Sequence, residues 1–394
     1  MFSRVFHNKY TVYLHGLFAN WRECVVGIIH YCRLRGAAIS ENTVLIVEFN
    51  PFHGEVLPGV VHYFQELGYE VVAATRYGTW HDSPFIRFAR PPKHFCLTIR
   101  GMRALLRSPW SRKFRLIFFN SARIYLEEYR YFWRVTDFIG KKFSQRKNFA
   151  MIEHEFTQKG YGDFWNNIAE ESQPCLELRH HTFFLTPINW RRTALPMLNP
   201  HFFGEISQDK SFADGKRIFI AVGRISAANR NFAETLQALA AVKSAVPWEL
   251  WVIGSGKDPV NVPDEIAGQV RFLGRLSFAE MYRRLEKAHF FLPMLEPETQ
   301  HEYLEGCTSG SRQLILGFGI LPVIHKDFGR HYGFTEEIGF LYGSHAPAQA
   351  IRQALEITEA DYRNRQAALL RESRRVAEIS LNNLKKQLEE TGRK

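Results

Sequence analysis

Residues 217–256, RIFIAVGRISAANRNFAETLQALAAVKSAVPWELWVIGSG, contain a predicted strand, a helix and a second strand in direct succession. The apolar runs 217–225 and 248–256 have the length of buried strands, and each carries glycine at its end. Apolar residues at helical spacing over 230–245 predict the helix between them. Two apolar strands joined by a helix are typical of a parallel sheet that is covered on both faces.

The same alternation continues on both sides of this unit. In the second half of the chain, the further predicted strands are 270–276, 289–295 and 321–325, with a helix after Ser277 that this residue is expected to cap. In the first half, the predicted strands are 43–49, 69–75, 115–122, 148–156 and 181–188, after a helix that ends at Gly36. Residues 195–216 are rich in Pro, Gly, Asn and Asp, so they predict a domain boundary.

We therefore predict an α/β protein with two open parallel sheets in tandem. The expected domains cover residues 1–205 and 206–355 and are followed by charged C-terminal helices at 356–394. Ligands of such sheets bind beyond the carboxyl ends of the strands, which predicts a cleft between two facing sheets.

The composition is that of an ordinary globular protein, with 394 residues of which 45% are hydrophobic and 23% charged. No stretch reaches the roughly 18 uncharged apolar residues of a membrane span, and the start lacks the apolar core of a secretory signal. Five scattered cysteines without a C-x-x-C pair favour reduced thiols over a disulfide frame or a zinc site. These features predict a cytoplasmic protein.

The formal net charge of +11 is concentrated in residues 87–147, where aromatic side chains interleave with many Lys and Arg. A surface of this kind suits polyanions, although a merely solvated face is the alternative. Neither zinc-finger spacing nor an RNA-binding aromatic signature is present, so we expect no nucleic-acid partner. Amphipathic basic segments can lie on a bilayer, and we expect this region to contact the anionic inner face of a membrane peripherally.

Gly223, Arg224 and Arg230 follow the first strand of the second half. Two arginines at a strand–loop–helix junction suit a diphosphate, because a guanidinium can bind phosphate oxygens through two hydrogen bonds. The alternative is that each arginine forms an ordinary surface salt bridge. Gly254 and Gly256 end the next strand, but neither a G-x-G-x-x-G nor a Walker motif follows, so a tight turn explains them better than a phosphate loop does.

Ser309, Gly310 and Ser311 precede the apolar helix of LEGCTSGSRQLILGFGILPVI, residues 304–324. Free backbone N–H groups and the positive end of a helix dipole make such a position a seat for phosphate. The simpler alternative is that serine caps the helix and glycine relaxes the turn. Because this tripeptide and Gly223-Arg224 are expected at the same edge of one sheet, their convergence favours phosphate binding.

The order of these motifs resembles the nucleotide-sugar-binding domain of GT-B fold glycosyltransferases, especially the retaining group 1, or family 4, enzymes. The resemblance covers about residues 215–360 well and 43–205 loosely. The matching segments are VGRISAANRN, WVIGSG, VRFLGRL, TSGSRQLILGFG and IGFLY. It implies two Rossmann-like domains that face a cleft, an N-terminal acceptor-binding domain at 1–205 and a nucleotide-sugar-binding domain at 206–355. It also implies sugar transfer from a nucleotide-diphospho-sugar to a glycan or lipid-linked acceptor, in bacterial surface polysaccharide or lipopolysaccharide assembly.

The resemblance assigns contacts with the donor's diphosphate and sugar to the segment Thr308, Ser309, Gly310 and Ser311. The family's E-x7-E pair becomes Glu305 and Gln313 in this chain, so the second carboxylate is absent. One more residue than usual separates Gly319 from Pro322. The sugar-contacting carboxylate is therefore open between Glu302 and Glu305, of which Glu305 is the catalytic candidate.

In the first half, the resemblance implies that His154 lies near the sugar, where a histidine can donate to a hydroxyl or the forming bond. A purely structural histidine is the alternative. His53 and Glu55 are candidates on the acceptor side, with a cap and a surface turn as their alternative. His180 and His181 lack a third ligand, and no D-x-D occurs, so we expect neither a metal nor a cofactor.

Two rival functions remain open. A nucleotide-sugar epimerase can share the two-domain fold and would need carboxylate acid and base groups in the cleft. A non-catalytic binding protein with a degenerate donor site would explain why Gln313 replaces a carboxylate. The donor, the acceptor and the linkage have no signature in the sequence.

Overall fold

The structure is a computed structural model, and it describes residues 9–51, 53–126, 131–134, 148–155, 181–190, 193–212, 215–226, 230–256, 260–343 and 346–390. The chain forms two compact units, one of residues 1–83, 90–152 and 388–394, and one of residues 84–89 and 153–387. Each unit is described by itself. The first contains the beginning of the chain, and the second contains the segment 217–256.

Within the described residues, the strands of the first sheet are β1 (Thr43–Glu48), β2 (Glu70–Thr75), β3 (Lys93–Cys96), β4 (Leu116–Phe119), β7 (Phe149–Glu153) and β8 (Thr182–Phe184). Their order in the sheet is β3-β2-β1-β4-β7-β8. The pairs β1–β2, β1–β4, β2–β3 and β4–β7 are parallel. All six residues of β1 are buried, as expected for a central strand that is covered on both faces.

Within the described residues, the strands of the second sheet are β11 (Arg217–Val222), β12 (Trp248–Ile253), β13 (Val270–Gly274), β14 (Phe290–Phe291), β15 (Leu321–His325) and β16 (Phe340–Tyr342). They are parallel and lie in the order β13-β12-β11-β14-β15-β16. The order reverses between β11 and β14, so the loops at their carboxyl ends open at a switch point. Val222 pairs with Ile253 and Ile220 with Phe291, which brings these carboxyl ends together.

Helices cover both sheets. In chain order they are α1 (Lys9–Gly36), α2 (Leu57–Glu66), α3 (Tyr77–His81), α4 (Ile99–Arg107), α5 (Phe232–Ala241), α6 (Phe278–Lys287), α7 (Pro297–Gln300), α8 (Glu302–Glu305), α9 (Ser311–Phe318), α10 (Lys326–Tyr332), α11 (Pro347–Glu356) and α12 (Glu359–Glu390). The Ser277 side chain accepts a hydrogen bond from Glu280 N and caps α6, as the sequence predicts. Within the described residues, none of the helices has both the length and the hydropathy that a membrane crossing requires.

The predicted fold class is confirmed, since both sheets and the long C-terminal helix are present. The domain boundaries at 205 and 355 stay predictions. Residues 87–147 contain more strand than expected. The sequence pattern missed β3, the antiparallel pair β5 (Arg123–Leu126) and β6 (Tyr131–Arg134), and the pair β9 (Ile188–Trp190) and β10 (Thr193–Leu195). These strands have only three or four residues, too few for a period-2 pattern to stand out.

Close packing at Gly317 in α9 provides a test of the second unit's core. A Cβ added there would lie 2.3 Å from the His201 carbonyl oxygen and 2.4 Å from the Phe203 ring, whereas a Cβ at Gly268 would contact nothing within 4 Å. We expect Gly317→Ala to lower the free energy of unfolding by about 1–3 kcal/mol, because a buried backbone carbonyl cannot move aside cheaply. Gly268→Ala is the matched control. Urea unfolding of both variants measures the difference, and equal midpoints would contradict the packing described here.

Candidate functional site

Arg230 connects three elements at the carboxyl edge of the second sheet. Its guanidinium donates from Nη2 to the Val222 carbonyl oxygen at 2.9 Å and from Nη1 to the Pro293 carbonyl oxygen. Nη1 also lies 3.4 Å from Ser311 Oγ. These groups end β11, follow β14 and begin α9, so one cation ties together the loops on both sides of the switch point. Burial lowers the pKa of Arg230 from its ordinary value.

Gly223 and Gly254 allow two of these loops to touch through their backbones. Both residues have positive φ, +140° and +146°, and Gly223 N donates to the Ile253 carbonyl oxygen at 2.9 Å. A Cβ at Gly254 would lie 1.8 Å from Gly223 O, and one at Gly223 would lie 2.6 Å from Arg230 Nη2. Glycine is therefore required here for close approach of backbone and guanidinium. This supports the tight-turn interpretation of Gly254, and its contact with a donor stays a prediction.

Arg224 lies in the same turn but is exposed, unlike Arg230. The two arginines that the sequence pairs thus differ in their surroundings. Arg230 is engaged by protein atoms, and Arg224 remains accessible to a ligand in solution. Of the two predicted phosphate contacts, the exposed guanidinium of Arg224 is the one with access to an incoming ligand.

The tripeptide Ser309, Gly310 and Ser311 forms a buried loop before α9. Gly310 occupies the N-cap position and no side chain caps the helix, so the simple capping explanation for the two serines does not apply. Ser309 Oγ donates to Ser311 Oγ at 3.0 Å and accepts from Ser311 N at 3.3 Å. With its side-chain amide in the orientation that satisfies both the oxygen and the nitrogen, Gln313 donates from Nε2 to the carbonyl oxygens of Ser309 (3.1 Å) and Gly310 (3.3 Å) and so supports the loop.

Thr308, at the start of this loop, has an unsatisfied hydroxyl. Its Oγ1 is buried and has no hydrogen-bond partner among the residues that the structure describes. A buried hydroxyl without a partner costs free energy, so it marks a position where an additional polar group could bind. The backbone N–H of Thr308 is engaged, since it donates to the His154 carbonyl oxygen at 3.3 Å.

The backbone of His154 is thereby adjacent to the predicted donor loop. His154 follows β7, and Glu155 forms an isolated antiparallel bridge with Cys307, the residue before Thr308. The buried Glu153 carboxylate accepts from the backbone N–H groups of His154 (3.1 Å) and Glu155 (3.3 Å), which fixes the end of the strand. The structure thus brings together two segments that are about 150 residues apart in sequence.

The predicted carboxylates Glu302 and Glu305 lie on the short helix α8, before the loop at 308–311. Glu305 ends the short helix α8 and is exposed, while Glu302 begins it and is half-buried beside His301, at 3.9 Å. Sequence reasoning also missed the buried Tyr332, whose hydroxyl pKa is raised by burial and by the nearby Tyr303 hydroxyl. Arg312 donates to the Tyr332 carbonyl oxygen at 3.0 Å. Arg312 directly follows the serines in the segment TSGSR. Its place beside the predicted donor loop was the sequence signal that could have indicated this buried arginine.

His53 and Glu55 belong to the first unit, at the carboxyl edge of its sheet. His53 precedes a 3₁₀ turn (Gly54–Val56) without capping it through its side chain, and its carbonyl oxygen accepts from Asn120 Nδ2 at 3.1 Å. Glu55 is half-buried in this turn, and burial together with the charge of Glu48 raises its pKa. The predicted surface turn is thus anchored to the end of β4.

Glu48 is the functional-site candidate that the sequence prediction missed in this unit. It ends β1, is 1% exposed, and accepts three hydrogen bonds of 2.6 Å, from Asn50 N, Asn120 Nδ2 and Ser121 Oγ. Burial raises the pKa of Glu48 to about 7, more than the three donors lower it. The carboxylate that ends the apolar strand TVLIVEF was the available signal, because an acidic residue there lies at the ligand edge of the sheet.

Among the residues that the structure describes, no group of three or more His, Cys, Asp and Glu side chains is arranged to hold a metal ion. His181 is described, and His180 lies outside the described residues.

The raised pKa of Glu48 predicts a pH dependence of stability. The pKa of Glu48, about 7 in the folded protein, exceeds the ordinary glutamate pKa of 4.5, so the folded protein binds more protons and loses stability as pH rises between these values. A pKa difference of this size corresponds to about 3 kcal/mol. We expect the free energy of unfolding of the wild type, minus that of Glu48→Gln, to fall by an amount of this order from pH 4.5 to 7. Urea unfolding across this range tests it, with the exposed Glu41→Gln as control, and a constant difference would contradict it.

Comparisons with known proteins agree with this geometry at the level of the fold. No protein-family model matches the chain, and no curated protein matches it. The structure is similar to that of Alr3699/HepE from Anabaena in complex with UDP, at 10% sequence identity and a TM-score of 0.52, over 88% of this chain and 99% of that one. The apo form of the lipopolysaccharide outer core galactosyltransferase WaaB also matches, at 12% identity and a TM-score of 0.45, over 88% of this chain and 99% of that one. The likeness to Alr3699/HepE confirms the GT-B fold that the sequence predicts.

Proposed function

We propose that the protein is a glycosyltransferase that moves a sugar from a nucleotide-diphospho-sugar to a glycan or lipid-linked acceptor. The observation that carries the proposal is the loop at residues 308–311. It combines an unsatisfied buried hydroxyl on Thr308 with the N-terminus of α9, at the switch point of a parallel sheet in a chain with the GT-B fold. A diphosphate is the ligand whose chemistry fits this combination.

The chemical task of such an enzyme is to stabilise a leaving nucleoside diphosphate as negative charge grows on its phosphate oxygens. Preorganised cations and N–H groups at the point of charge development are the usual means. In this proposal the exposed Arg224 contacts the diphosphate, and the loop at 308–311 contributes its hydroxyl and N–H groups. Arg230 acts by holding the ends of β11 and β14 and the start of α9 in place.

His154 and Glu305 are the proposed catalytic residues. The hydrogen bond between His154 O and Thr308 N supports a position of His154 beside the donor loop. An imidazole there would donate to a sugar hydroxyl or to the forming bond. Glu305 would contact the sugar from the short helix α8. His53 and Glu55 are proposed contacts of the acceptor, and Gly223 and Gly254 of the donor.

The finer parts of the proposal rest on the resemblance of the motifs. They are retention of anomeric configuration, transfer without a metal, and a role in bacterial surface polysaccharide or lipopolysaccharide assembly. Proton NMR of the fresh product reads out its anomeric configuration, and activity in the presence of EDTA reads out metal dependence. We further propose that the enzyme is cytoplasmic and contacts the inner membrane face through residues 87–147, of which 127–130 and 135–147 lie outside the described residues.

One observation favours a second candidate, a non-catalytic binding protein. Gln313 stands where the resembled family has a carboxylate, and its amide is used to support the loop through Ser309 O and Gly310 O. Such a protein would bind a nucleotide without transferring a sugar. A donor that binds but releases no nucleoside diphosphate in the presence of acceptors or water would support this candidate.

The first prediction from the proposed function concerns donor binding. UDP, GDP, CMP, ADP and dTDP are titrated while the thermal midpoint is followed, and we expect one nucleotide to raise it. At about 100 times the Kd, ligand binding adds about 2.7 kcal/mol to the free energy of unfolding. Arg224→Ala should lose this response because its cation is exposed towards the ligand. Arg283→Ala removes an equally exposed cation on α6 and should keep the response. A folded protein that responds to none of the nucleotides would refute the donor site.

The second prediction separates function from stability at Thr308. Thr308→Val keeps the shape of the side chain and removes the unsatisfied hydroxyl, so the free protein should be as stable as the wild type or more stable. Its affinity for the responding nucleotide should fall about tenfold, the effect of one lost hydrogen bond.

The matched control is Thr358→Val, which removes the hydroxyl that accepts from Asp361 N and caps α12. This variant should lose about 1 kcal/mol of stability and keep its nucleotide affinity. Calorimetric titration and urea unfolding give the two quantities for each variant. A destabilised Thr308→Val with unchanged affinity would show that the hydroxyl is structural.

A further inference from the structure

One face of α1 is firmly packed against the first unit. His30 Nδ1 accepts a hydrogen bond from Cys96 N at 3.1 Å, and its ring lies edge-on to Trp80 with centroids 4.8 Å apart. Leu34 is fully buried. A Cβ at Gly27 would lie 2.7 Å from Thr98 Cγ2, so the helix approaches the end of β3 as closely as it can. The rotation of α1 about its axis is therefore fixed from His30 to Leu34.

The opposite face of α1 is apolar and exposed. Trp21, Val25, Ile28 and Cys32 follow the i, i+4, i+7, i+11 spacing of a single helix face, and Ile29 adjoins it. Trp21 is 66% exposed, Ile28 63% and Ile29 45%. These are three of the five large hydrophobic side chains that are exposed in the described part of the chain, the others being Ile86 and Phe272. Their concentration on one helix face distinguishes them from scattered surface apolar residues.

Cations border this face. Arg22, Arg33 and Arg35 of α1 are exposed beside it. Arg35 Nη1 lies 3.5 Å from Ser108 Oγ and its guanidinium 5.9 Å from the centre of the Trp110 ring, so the C-terminal end of α1 adjoins the segment after α4. That segment adds further exposed cations, Arg107, Arg112 and Lys113. The acidic residue within the described turns of α1, Glu23, is half-buried and faces Arg76 at 3.9 Å.

We propose that α1 lies in the plane of an anionic lipid bilayer, with Trp21, Ile28 and Ile29 inserted among the headgroups and the bordering arginines on lipid phosphates. An exposed apolar face with basic flanks has the two attractions that hold an interfacial helix, buried apolar area and charge. A second copy of the chain would place like charges opposite each other, which disfavours self-association through this face. This proposal names α1 as an element of the membrane contact in the proposed function, and it rests on that proposed function.

The test is flotation of the full-length protein with vesicles of phosphatidylcholine alone and of phosphatidylcholine with phosphatidylglycerol. We expect binding to the anionic vesicles and at least about tenfold weaker partition for Ile29→Glu, because the variant loses the burial of one large apolar side chain. Phe272→Glu is the matched control, since Phe272 is 42% exposed against 45% for Ile29 and lies on β13 in the other unit. It should bind like the wild type.

A second readout reports insertion directly. An environment-sensitive fluorophore on the exposed Cys32 should shift to the blue when anionic vesicles are added. Equal binding of the wild type and Ile29→Glu would show that the apolar face of α1 does not insert and that charge alone accounts for vesicle binding. A wild-type dimer that Ile29→Glu dissociates, without vesicle binding, would assign the face to self-association instead. Nucleotide binding is measured in the same samples, so a protein that floats but binds no nucleotide refutes the proposed function and not the docking of α1.

Discussion

The arrangement of the second unit depends on how one half-buried cation is satisfied. Arg230 is surrounded by backbone carbonyl oxygens from the ends of β11 and β14, and by a serine hydroxyl at the start of α9. A buried guanidinium needs such partners, because an unpaired charge in a protein interior is costly. Satisfying it with groups from three separate elements fixes their relative positions. Where the structure describes them, the ends of the loops that would receive a ligand are therefore held in place before any ligand arrives, which reduces the entropy cost of binding.

The first unit uses a buried carboxyl group in a comparable way. Glu48 collects donors from its own loop and from the end of β4, and so joins two neighbouring strand ends. In both units, an ionisable side chain at the carboxyl edge of a sheet is engaged by hydrogen bonds from within the protein. These hydrogen bonds hold the surrounding loop residues in place. In the proposed function, the residues that contact ligands are neighbours of these two side chains, namely Arg224 and Thr308 in the second unit and Glu55 in the first.

Sequence patterns predicted the long elements well, because buried parallel strands are continuous apolar runs and amphipathic helices have a clear period. They placed β1, β2, β11 and β12 within one to three residues of their ends. The strands of two to four residues carry too little pattern, and β14 is only two residues long although its predicted run has seven. Their pairing is decided by neighbours that a local window does not contain.

The candidate site was predicted in outline and differs in detail for the same reason. Strand order places Gly223 and Ser309–Ser311 at one edge, and this follows from topology. Whether an arginine points to solvent, as Arg224 does, or to carbonyl oxygens, as Arg230 does, depends on three-dimensional neighbours. The contact of His154 with Thr308 is likewise a long-range backbone hydrogen bond that leaves no trace in either local sequence.

The contacts of Gln313 restrict which side chain this position of the loop can accept. Its amide nitrogen faces two carbonyl oxygens, so a carboxylate at this position would place negative charge against Ser309 O and Gly310 O. Exchange of this glutamine for the glutamate of the resembled family would therefore require the loop to be rebuilt at the same time.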